Sequence, residues 1–371
     1  MKILRVIATG FKNCEDDFEI SFVPLARKTA EDKEYELEQI ADGLYVFSTV
    51  GVVGKNASGK TSVLDLLNVC YDILGQYRIE KKAYGLDNVS LTIFFYHDEY
   101  IYKYCTQLSE NELSDKIILV NQKIFKKKYF KSNINSIFEF DGCEELSFEG
   151  ELPDDTSIVF FVLKKMSTQS VYCYSHDFGF EAYKTSFMLK RSLELSDEII
   201  TKIIRIFDEN ITKLEMIDES NYRLEFCGKQ EMLSSKELYY RISSGTTKGL
   251  LLYTLVVLSL REGFDLIIDE IENHFHKTLV ENIISLYKDK TINKKNATLI
   301  FATHYCEILD LFNRQDNIYI TKSDPKVKAY NMYRDFDVRP ELLKSKQFYN
   351  NVFKTAVNYD ALMDLKKELK Q

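Results

Sequence analysis

The sequence is poor in the features that mark secreted, zinc-binding and membrane proteins. Its seven cysteines stand singly with no Cys-x-x-Cys pair, which favours reduced thiols over a zinc site or a disulfide framework. Tryptophan is absent, and the longest apolar run, Gly249 to Leu260, is too short to cross a bilayer. A strand-like segment opens the chain, so no signal peptide is expected. We therefore predict a cytoplasmic protein without membrane contact.

Excess positive charge is also missing. The net charge of −8 argues against a protein that coats nucleic acid through its overall field. One local exception, called the lysine strip below, interleaves lysines with Phe125, Tyr129 and Phe130. Its members are Lys123, Lys126, Lys127, Lys128 and Lys131. Such a strip can hold a nucleic-acid backbone. The same pattern is also typical of lysines that protect the edge of a strand from pairing, and this second interpretation agrees better with the acidic net charge.

No internal repeat, low-complexity tract or sustained heptad pattern is present, so a long coiled-coil arm is not expected. The chain has 371 residues, 45% of them apolar and 13% aromatic, which is ample for a buried core in one large domain or two. Strand patterns are predicted around residues 89–140 and at 157–163, with a helix over 195–207. A short hairpin is predicted at 214–226, and a helical tail over 344–370 with docking residues Phe348, Val352 and Phe353.

One stretch carries a specific chemical signal. Residues Gly54-Lys55-Asn56-Ala57-Ser58-Gly59-Lys60-Thr61 fit G-x-x-x-x-G-K-[ST] at every fixed position, and Ser62 follows. The two glycines let backbone N–H groups point at phosphate oxygens, Lys60 adds a charge for the β- and γ-phosphates, and Thr61 can ligate Mg²⁺. Apolar residues precede the loop as a strand and follow it at helical spacing, which places a helix N-terminus at the phosphates. The pattern predicts a site for ATP and Mg²⁺.

A second acidic motif lies far downstream. The apolar residues before Asp269 and Glu270 predict a buried strand that delivers both carboxylates to the carboxyl edge of a sheet. There Asp269 is suited to hold Mg²⁺ and Glu270 to orient or deprotonate the attacking water. Many core strands end in acidic residues, so this motif alone is weak evidence for a metal site. It becomes strong evidence because the same chain contains the phosphate loop.

Two further segments complete the predicted site. His304 follows another apolar strand, where it can sense the γ-phosphate through a hydrogen bond, although a histidine at a strand end is commonly structural. Ser243, Ser244 and Gly245 stand where a helix begins, so their hydroxyl and N–H groups can meet an anion. An ordinary serine helix cap explains that segment equally well.

Together these segments resemble the ABC-type ATPase core of the RecF/SMC-like group, and most closely the AbiL-like AAA-type ATPases of abortive-infection and anti-phage systems. The matching segments are Gly10-Phe11-Lys12-Asn13, Gly54–Thr61, Ser243-Ser244-Gly245-Thr246, Ile267-Ile268-Asp269-Glu270-Ile271-Glu272-Asn273, Ala302-Thr303-His304 and Val338-Arg339-Pro340-Glu341-Leu342. Ser243-Ser244-Gly245-Thr246 departs from the Ser-Gly-Gly-Gln of transporter subunits. The glutamine that links the γ-phosphate to the arm in such ATPases has two candidates, Gln107 and Gln122.

The resemblance implies an α/β fold, an ABC-type P-loop head whose mixed sheet is joined to an antiparallel β lobe. It divides the chain into an N-terminal core part (1–110), an inserted α+β lobe (111–235), a C-terminal core part (236–335) and a helical tail (336–371). It also implies that the serine-glycine segment completes the ATP site of a second subunit, so that the protein works as a homodimer or higher oligomer.

Three functions compete on these grounds. The first is a dimerising, slow Mg-ATPase switch of an anti-phage system that senses a trigger and controls a separately encoded effector. The second is a RecF/SMC-like repair ATPase that closes on DNA. A nuclease with a fused ATPase is disfavoured, because no D-x-D with an acidic partner lies in a strand context and Asp335-Phe336-Asp337 sits in a polar stretch.

Overall fold

The computed structural model describes residues 1–79, 85–110, 116–163, 168–174, 181–273, 275–339, 342–355 and 359–369. The strands within these residues are β1 (Lys2–Thr9), β2 (Phe18–Ser21), β3 (Leu37–Ala41), β4 (Leu44–Phe47), β5 (Thr49–Val53), β6 (Val89–His97), β7 (Tyr100–Glu110), β8 (Ile117–Lys128), β9 (Glu144–Leu146), β10 (Ser170–Cys173), β11 (Ile211–Met216), β12 (Asn221–Phe226), β13 (Lys229–Ser234), β14 (Asp265–Ile268), β15 (Leu299–Thr303), β16 (Ile318–Ser323) and β17 (Val327–Asn331).

The α-helices of the same residues are α1 (Ala30–Tyr35), α2 (Lys60–Gly75), α3 (Val159–Val162), α4 (Glu181–Ser192), α5 (Asp197–Phe207), α6 (Ser235–Arg241), α7 (Ser244–Glu262), α8 (Lys277–Lys288), α9 (Met332–Asp335), α10 (Lys344–Tyr349) and α11 (Tyr359–Glu368). Short 3₁₀ helices lie at Lys131–Ser136 and Cys306–Leu311. No helix of the described residues is long and apolar enough to cross a membrane.

Two six-stranded sheets organise the chain. The first is antiparallel, in the order β2-β1-β6-β7-β8-β9, and the second has the order β10-β14-β15-β5-β16-β17. In the second sheet β10, β14, β15, β5 and β16 are parallel, and β17 closes one edge as an antiparallel strand. Strand β5 lies between two others and is buried at all five residues, as expected for a parallel strand covered on both faces.

Helix α2 lies between the two sheets. It contacts β1 of the first sheet and β5, β14 and β15 of the second, and nearly every residue from Lys60 to Leu74 is buried. Its apolar residues join the core of the antiparallel sheet, whereas α4, α5, α7 and α8 pack in a second apolar cluster on the parallel sheet. The helix that begins at the phosphate loop is therefore fixed from both sides.

A buried carboxylate ties the two sheets to α2. Asp265 at the start of β14 accepts hydrogen bonds from Lys2 Nζ at 2.6 Å, the Tyr71 hydroxyl at 2.6 Å and Thr298 N–H at 2.7 Å. Its side chain is almost fully buried, so each of these bonds forms in a low-dielectric setting where an unpaired charge would be costly. Asp265 thus holds β1, α2 and the parallel sheet in one arrangement.

Helix α7 shows how closely the second cluster packs. Gly249 has no side chain, and a Cβ at this position would overlap the ring of Phe207 at the end of α5. Phe207 in turn makes edge and tilted contacts with the rings of Tyr253 and Phe275, at centroid distances of 5.5 and 6.0 Å. A larger residue at 249 would push α5 away from the helix that carries the serine-glycine segment.

Several local expectations are corrected. The apolar run at 157–163, predicted to be a strand, contains the short helix α3, because Phe160 and Phe161 pack against Tyr77 and Phe148 from consecutive positions. A short apolar run does not by itself separate a buried strand from a helix. The hairpin predicted at 214–226 is present as β11 and β12, and β13 adds a third strand to it.

The predicted helical tail contains two helices, α10 and α11. Phe353 is fully buried and contacts the ring of Phe348 at 4.6 Å and that of Phe336 at 5.0 Å. Val352, also predicted to dock, is 43% exposed because the chain turns between these rings. Pro340, Glu341 and Lys370 lie outside the described residues.

The predicted domain boundaries stay a prediction. The boundary at residue 110 falls between β7 and β8, which are hydrogen-bonded along most of their length. The segment 111–235 therefore begins with strands of the first sheet, and the three-stranded sheet β11-β12-β13 follows later in it.

Candidate nucleotide-binding site

The phosphate loop connects the end of β5 to the first turn of α2. Gly54 is buried there, and a Cβ would overlap both Ser58 Oγ and Thr321 Oγ1, while a Cβ at Gly59 would overlap the side chain of Val327. Gly59 also has φ of +97°, a value that only glycine adopts without strain. The two fixed glycines of the motif are thus required by close packing, and the strand–loop–helix prediction is confirmed.

The N-terminus of α2 is open for an anion. Gly59, its N-cap residue, supplies no side-chain hydrogen bond, so the first N–H groups of this 16-residue helix are free of a side-chain cap. Ser58 Oγ is held instead by Thr321 Oγ1 at 2.7 Å, which fixes the loop to β16. The loop, the helix N-terminus and Lys60 together form the type of site that binds a phosphate chain.

Lys60 is buried at the base of the loop. Its ammonium donates to the carbonyl oxygens of Gly54 at 3.1 Å and Lys55 at 3.2 Å, and it lies 3.3 Å from His304 Nδ1. Burial lowers the pKa of Lys60, whereas the nearby carboxylates, Asp269 first among them, act in the opposite direction.

Thr61 and Asp269 are in direct contact, as a shared metal site requires. The Thr61 hydroxyl donates to Asp269 Oδ2 at 3.0 Å, and the other oxygen, Oδ1, is buried without a hydrogen-bond partner among the described residues. Burial is the main cause that raises the pKa of Asp269, and the charges of Glu270 and Asp65 add to it. A hydroxyl and a carboxylate with one unpaired oxygen are groups that suit Mg²⁺.

Glu270 and His304 lie on the solvent side of this pair. Glu270 adopts φ of +52°, an uncommon conformation for a side chain other than glycine, asparagine or aspartate. Its carboxylate is partly exposed, and Oε1 lies 3.7 Å from His304 Nε2. Both residues line the same cavity as Lys60 and Thr61.

A buried carboxylate next to them positions His304. Glu272 Oε1 accepts a hydrogen bond from the His304 backbone N–H at 2.6 Å, and Glu272 Oε2 has no hydrogen-bond partner among the described residues. Glu272 therefore connects the acidic motif after β14 to the tip of β15. The sequence predicted no role for Glu272, although its position two residues after Glu270 was a signal for one.

Most of the predicted loop residues line one cavity of about 480 Å³ at the carboxyl edge of the parallel sheet, together with Asp269, Glu270 and His304, whereas Gly54 and Lys55 do not line it. Its lining residues are Asn13, Asn56, Ala57, Ser58, Gly59, Lys60, Thr61, Ser62, Asp269, Glu270, His304, Ser323 and Val327. Asn13, Ser323 and Val327 were not predicted to belong to the site. Asn13 Nδ2 donates to the Pro325 carbonyl at 2.9 Å, which joins the β1–β2 loop to the β16–β17 hairpin.

The serine-glycine segment does not line this cavity. Ser243 is the N-cap of α7 and accepts a hydrogen bond from Thr246 N–H at 3.1 Å, as the alternative of an ordinary serine cap predicted. Ser243 and Ser244 are nevertheless exposed, and Gly245 is partly exposed. Within one chain the structure leaves these residues free to face another surface.

Neither candidate glutamine reaches the cavity. Gln122 Oε1 accepts from the Tyr104 hydroxyl at 2.7 Å and from Ile158 N–H at 2.8 Å, so it is fixed inside the antiparallel sheet. Gln107 lies on β7, where it accepts a weak bond from Asn121 at 3.4 Å. Strands β7 and β8 belong to the first sheet, whereas the cavity lies at the edge of the second, and neither glutamine lines it.

The lysine strip lies on and after β8, and most of its charges are already paired. Lys126 pairs with Glu144 at 3.1 Å, Lys128 with Glu99 at 3.4 Å and Lys131 with Asp42 at 3.1 Å. Lys127 donates to the carbonyl oxygens of Ser136 and Glu139. These contacts favour the strand-edge interpretation over a nucleic-acid surface.

Comparison with known proteins supports the fold. A family described as "AAA domain, putative AbiEii toxin, Type IV TA system" matches residues 175–310, a range that includes Ser243–Gly245, Asp269, Glu270 and His304. The comparison with curated proteins found no match.

Two solved structures are similar over most of their length. An SMC head bound to the C-winged helix domain of ScpA is 12% identical, with 89% of this chain and 97% of that chain covered and a TM-score of 0.50. The SMC head domain from Thermotoga maritima is 11% identical, with 89% and 99% covered and a TM-score of 0.42. The first of these likenesses and the sheet topology confirm the predicted ABC-type ATPase head fold.

Asp269 provides a test of the site through stability. We expect Asp269→Asn to stabilise the nucleotide-free protein at neutral pH by about 1 kcal/mol, in the range of stabilising substitutions. The raised pKa means that the folded protein binds a proton at Asp269 more readily than the unfolded chain does. The cost of the ionised carboxylate is therefore largest at neutral pH and shrinks as the pH falls through the folded-state pKa.

Thermal unfolding of wild type and Asp269→Asn at neutral and mildly acidic pH measures this difference. Asp265→Asn is the matched control, because that buried carboxylate is fully hydrogen-bonded and its loss should cost roughly 3 kcal/mol. Destabilisation by Asp269→Asn at neutral pH would contradict the assignment of Asp269 as an uncompensated metal ligand.

Proposed function

We propose that this protein is a magnesium-dependent ATPase whose two copies close around ATP and thereby control a separately encoded effector. The observation that carries the proposal is the contact of Thr61 with Asp269 beneath the phosphate loop, with Glu270 and His304 facing the same cavity. A phosphate-binding loop, a metal-binding pair and a carboxylate beside open space are the parts that nucleotide hydrolysis needs.

Each residue of the site has its own part in the proposed hydrolysis of ATP. The loop N–H groups and the N-terminus of α2 would hold the phosphates, and Lys60 would exchange its carbonyl partners for phosphate oxygens. Thr61 and Asp269 would hold Mg²⁺, which when bound neutralises charge on the β- and γ-phosphates. Glu270 would take a proton from the attacking water, and His304 would donate to the γ-phosphate from a backbone fixed by Glu272.

The proposal of a dimer rests on the position of the serine-glycine segment. Ser243, Ser244 and Gly245 are accessible at the start of α7 but absent from the cavity of their own chain. Their resemblance to a signature motif supports a second copy as the surface that they meet. Two ATP molecules would then be buried between two heads, each touched by both chains.

The role in phage defence is supported by two likenesses. The matched family is described as an AAA domain and putative AbiEii toxin of a type IV TA system, and the sequence resembles AbiL-like ATPases of abortive infection. After nucleotide binding and hydrolysis are assigned, the remaining residues supply no second catalytic constellation that the sequence predicts. We therefore propose that the chain is the switch of such a system and acts through another protein.

The fold favours a second candidate function. A solved SMC head with the same fold is described as bound to the C-winged helix domain of ScpA, which is a protein partner. The resemblance of the sequence motifs to the RecF/SMC-like group makes an ATPase that closes on DNA the second candidate. Its acidic net charge and the paired lysine strip favour the first candidate.

Two single substitutions separate binding from hydrolysis. Lys60→Ala should abolish ATP binding, because the phosphates lose the nearest fixed cation. Glu270→Gln should keep ATP binding and lose at least about a hundredfold in turnover, since the water loses its proton acceptor. Equilibrium binding of a fluorescent ATP analogue and phosphate release measure the two quantities, and equal turnover in wild type and Glu270→Gln would contradict the role of Glu270.

Mixing two inactive variants tests the dimer. Lys60→Ala removes the phosphate site, and Ser244→Arg blocks the segment offered to the partner. A heterodimer of the two retains one intact composite site out of two, so the mixture should regain ATPase activity that neither variant has alone. Each variant is first sized by light scattering with ATP, and folded variants that exchange subunits without regaining activity would contradict a shared site.

The switch role predicts binding without cutting. The purified chain should cleave neither DNA nor RNA, with or without ATP, and the product of a neighbouring gene should co-purify with Glu270→Gln in ATP more strongly than in ADP. ATP shifts the protein towards the closed form only as far as it binds that form more tightly than the open form. An effector that responds to ATP must therefore bind to a surface that exists in only one of the two forms. Tight, strongly salt-dependent DNA binding with no such partner would favour the second candidate.

A further inference from the structure

A second cavity, named the lysine cavity here, adjoins the nucleotide cavity. Its volume is about 640 Å³, and the described residues that line it include five lysines but only two acidic residues, Glu15 and Asp324. Ser323 lines both cavities, so the two spaces are neighbours at the same edge of the parallel sheet. The nucleotide site described above uses none of these five lysines in its own cavity.

Three separate segments bring the lysines of this cavity together. Lys322 and Lys328 are paired across β16 and β17, so their side chains lie on the same face of that hairpin, and Lys326 lies in its turn. Lys55 belongs to the phosphate loop, and Lys354 follows α10. The charges therefore converge because of the fold and not because of their spacing in the sequence.

Two of the five lysines have acidic partners. Lys328 pairs with Glu15 at 3.1 Å, and Lys326 pairs with Asp16 at 3.7 Å. The other three, Lys55, Lys322 and Lys354, form no ion pair with a carboxylate of the described residues. One acidic side chain of the described lining, that of Asp324, stands against these three positive charges.

Lys322 is held in place without an acidic partner. Its ammonium lies 4.8 Å from the ring centroid of Tyr330 and 5.0 Å from that of Phe336. Burial lowers the pKa of Lys322, and the positive charge of Lys354 lowers it further. Two like charges that influence each other in this way are a cost, and an anion bound between them would remove it.

The chemistry of the lining selects the class of ligand. Lysine binds phosphate groups as a point charge, and several point charges around one space suit an anion with more than one negative charge. No arginine, whose planar fork also suits single carboxylates, is among the described lining residues. The volume lies within the range of small-molecule sites.

The lining does not favour a nucleotide as this ligand. Tyr330 is the one aromatic residue among the described lining residues, and the ammonium groups of Lys322 and Lys328 already lie over its ring, at 4.8 and 5.2 Å from the centroid. Bases in nucleotide sites commonly stack on aromatic rings that are open to them. The lysine cavity therefore offers positive charge for phosphate groups and no free ring for a base.

We propose that Lys55, Lys322 and Lys354 form a binding site for a small phosphate anion that carries no base. The anion is orthophosphate or a short inorganic polyphosphate, and its site is separate from the nucleotide cavity. When bound, it offsets the repulsion between Lys322 and Lys354 and connects the tail segment to the phosphate loop through Lys55. This site goes beyond the proposed ATPase function and does not require hydrolysis.

Calorimetric titration with sodium tripolyphosphate in the absence of Mg²⁺ tests the site. The titrated protein is Lys60→Ala, which lacks the cation of the nucleotide site, and it should still bind a single anion per chain. Adding Lys322→Gln should weaken the binding at least about tenfold, as expected for the loss of one charge-assisted contact. Lys354→Gln should weaken it in the same direction, and this exposed side chain can be replaced without disturbing the rings around Lys322.

Lys202→Gln in the same Lys60→Ala chain is the matched control. It removes the same charge from the exposed face of α5, where Lys202 pairs with Glu198 at 2.6 Å. The affinity for tripolyphosphate should not change. In the wild-type chain, Lys322→Gln should leave the affinity for ATP and the initial rate of ATP hydrolysis unchanged.

A parallel titration with orthophosphate identifies the source of the anion. Binding of orthophosphate with the same dependence on Lys322 supports a site that phosphate released in the neighbouring cavity can fill. Binding of tripolyphosphate alone supports a site for a longer inorganic anion from solution. Either result supports the proposed site.

The other outcomes overturn it. No tripolyphosphate binding by Lys60→Ala, or an affinity that Lys322→Gln and Lys354→Gln leave unchanged, excludes the site and leaves the proposed ATPase intact. Equal weakening by Lys202→Gln shows a general effect of charge, and a loss of ATP affinity in Lys322→Gln assigns the cavity to the nucleotide; both overturn the inference. Tripolyphosphate binding in a wild-type chain that neither binds nor hydrolyses ATP would overturn the proposed function alone.

Discussion

The candidate site depends on the hydrogen bond between the Thr61 hydroxyl and Asp269, which joins residues 208 positions apart in the chain. Thr61 stands in the first turn of α2, and Asp269 directly follows β14, yet β15 lies between β14 and β5 in the sheet. The two side chains can meet only because α2 crosses from β5 over its neighbours and contacts β14 and β15. A change in strand order would separate the phosphate loop from the carboxylates even if every local motif were kept.

Buried ion pairs protect that arrangement. Glu36, which is fully buried, accepts hydrogen bonds from Lys288 Nζ at 2.7 Å, Asn313 N–H at 2.6 Å and Asn317 Nδ2 at 3.1 Å. Arg314 is held by Asp32 and Asp316 at 2.7 and 2.6 Å. Removal of one partner from such a pair leaves an uncompensated charge, at a cost of about 3 to 5 kcal/mol. The charge-rich excursion between β2 and β4 is thus tied to the segment that precedes β16, at the amino edge of the parallel sheet and opposite the phosphate loop.

The residues of the site were predictable where local geometry fixes their chemistry. Few local structures fit the spacing of glycines, lysine and threonine from Gly54 to Thr61. An apolar strand that ends in Asp269 and Glu270 brings both carboxylates to the carboxyl edge of the sheet, where the phosphate loop lies, if it is parallel to β5. Asn13, Ser323 and Val327 were not predictable, because a loop and a hairpin bring them to the cavity through pairings such as that of Cys14 with Val327. The helix at 159–162 was missed because an apolar run of that length fits both periods.

The buried aspartates Asp265 and Asp269, at the two ends of β14, differ in whether the fold supplies all their hydrogen-bond partners. Asp265 at the start of β14 is satisfied by a lysine, a tyrosine and a backbone N–H, so the chain can evidently pair a carboxylate in this part of the core. Four residues later Asp269 keeps one oxygen without a hydrogen-bond partner among the described residues, and Glu272 does the same three residues further on. Each unpaired group costs about 1 to 3 kcal/mol, and a few such costs are comparable with the whole stability of a domain. A cation bound beside Thr61 would offset the cost at Asp269, because its unpaired oxygen could then coordinate the metal. Nucleotide binding would then tighten the edge of the sheet where the loop, Glu270 and His304 meet, and the empty site would be the less stable state.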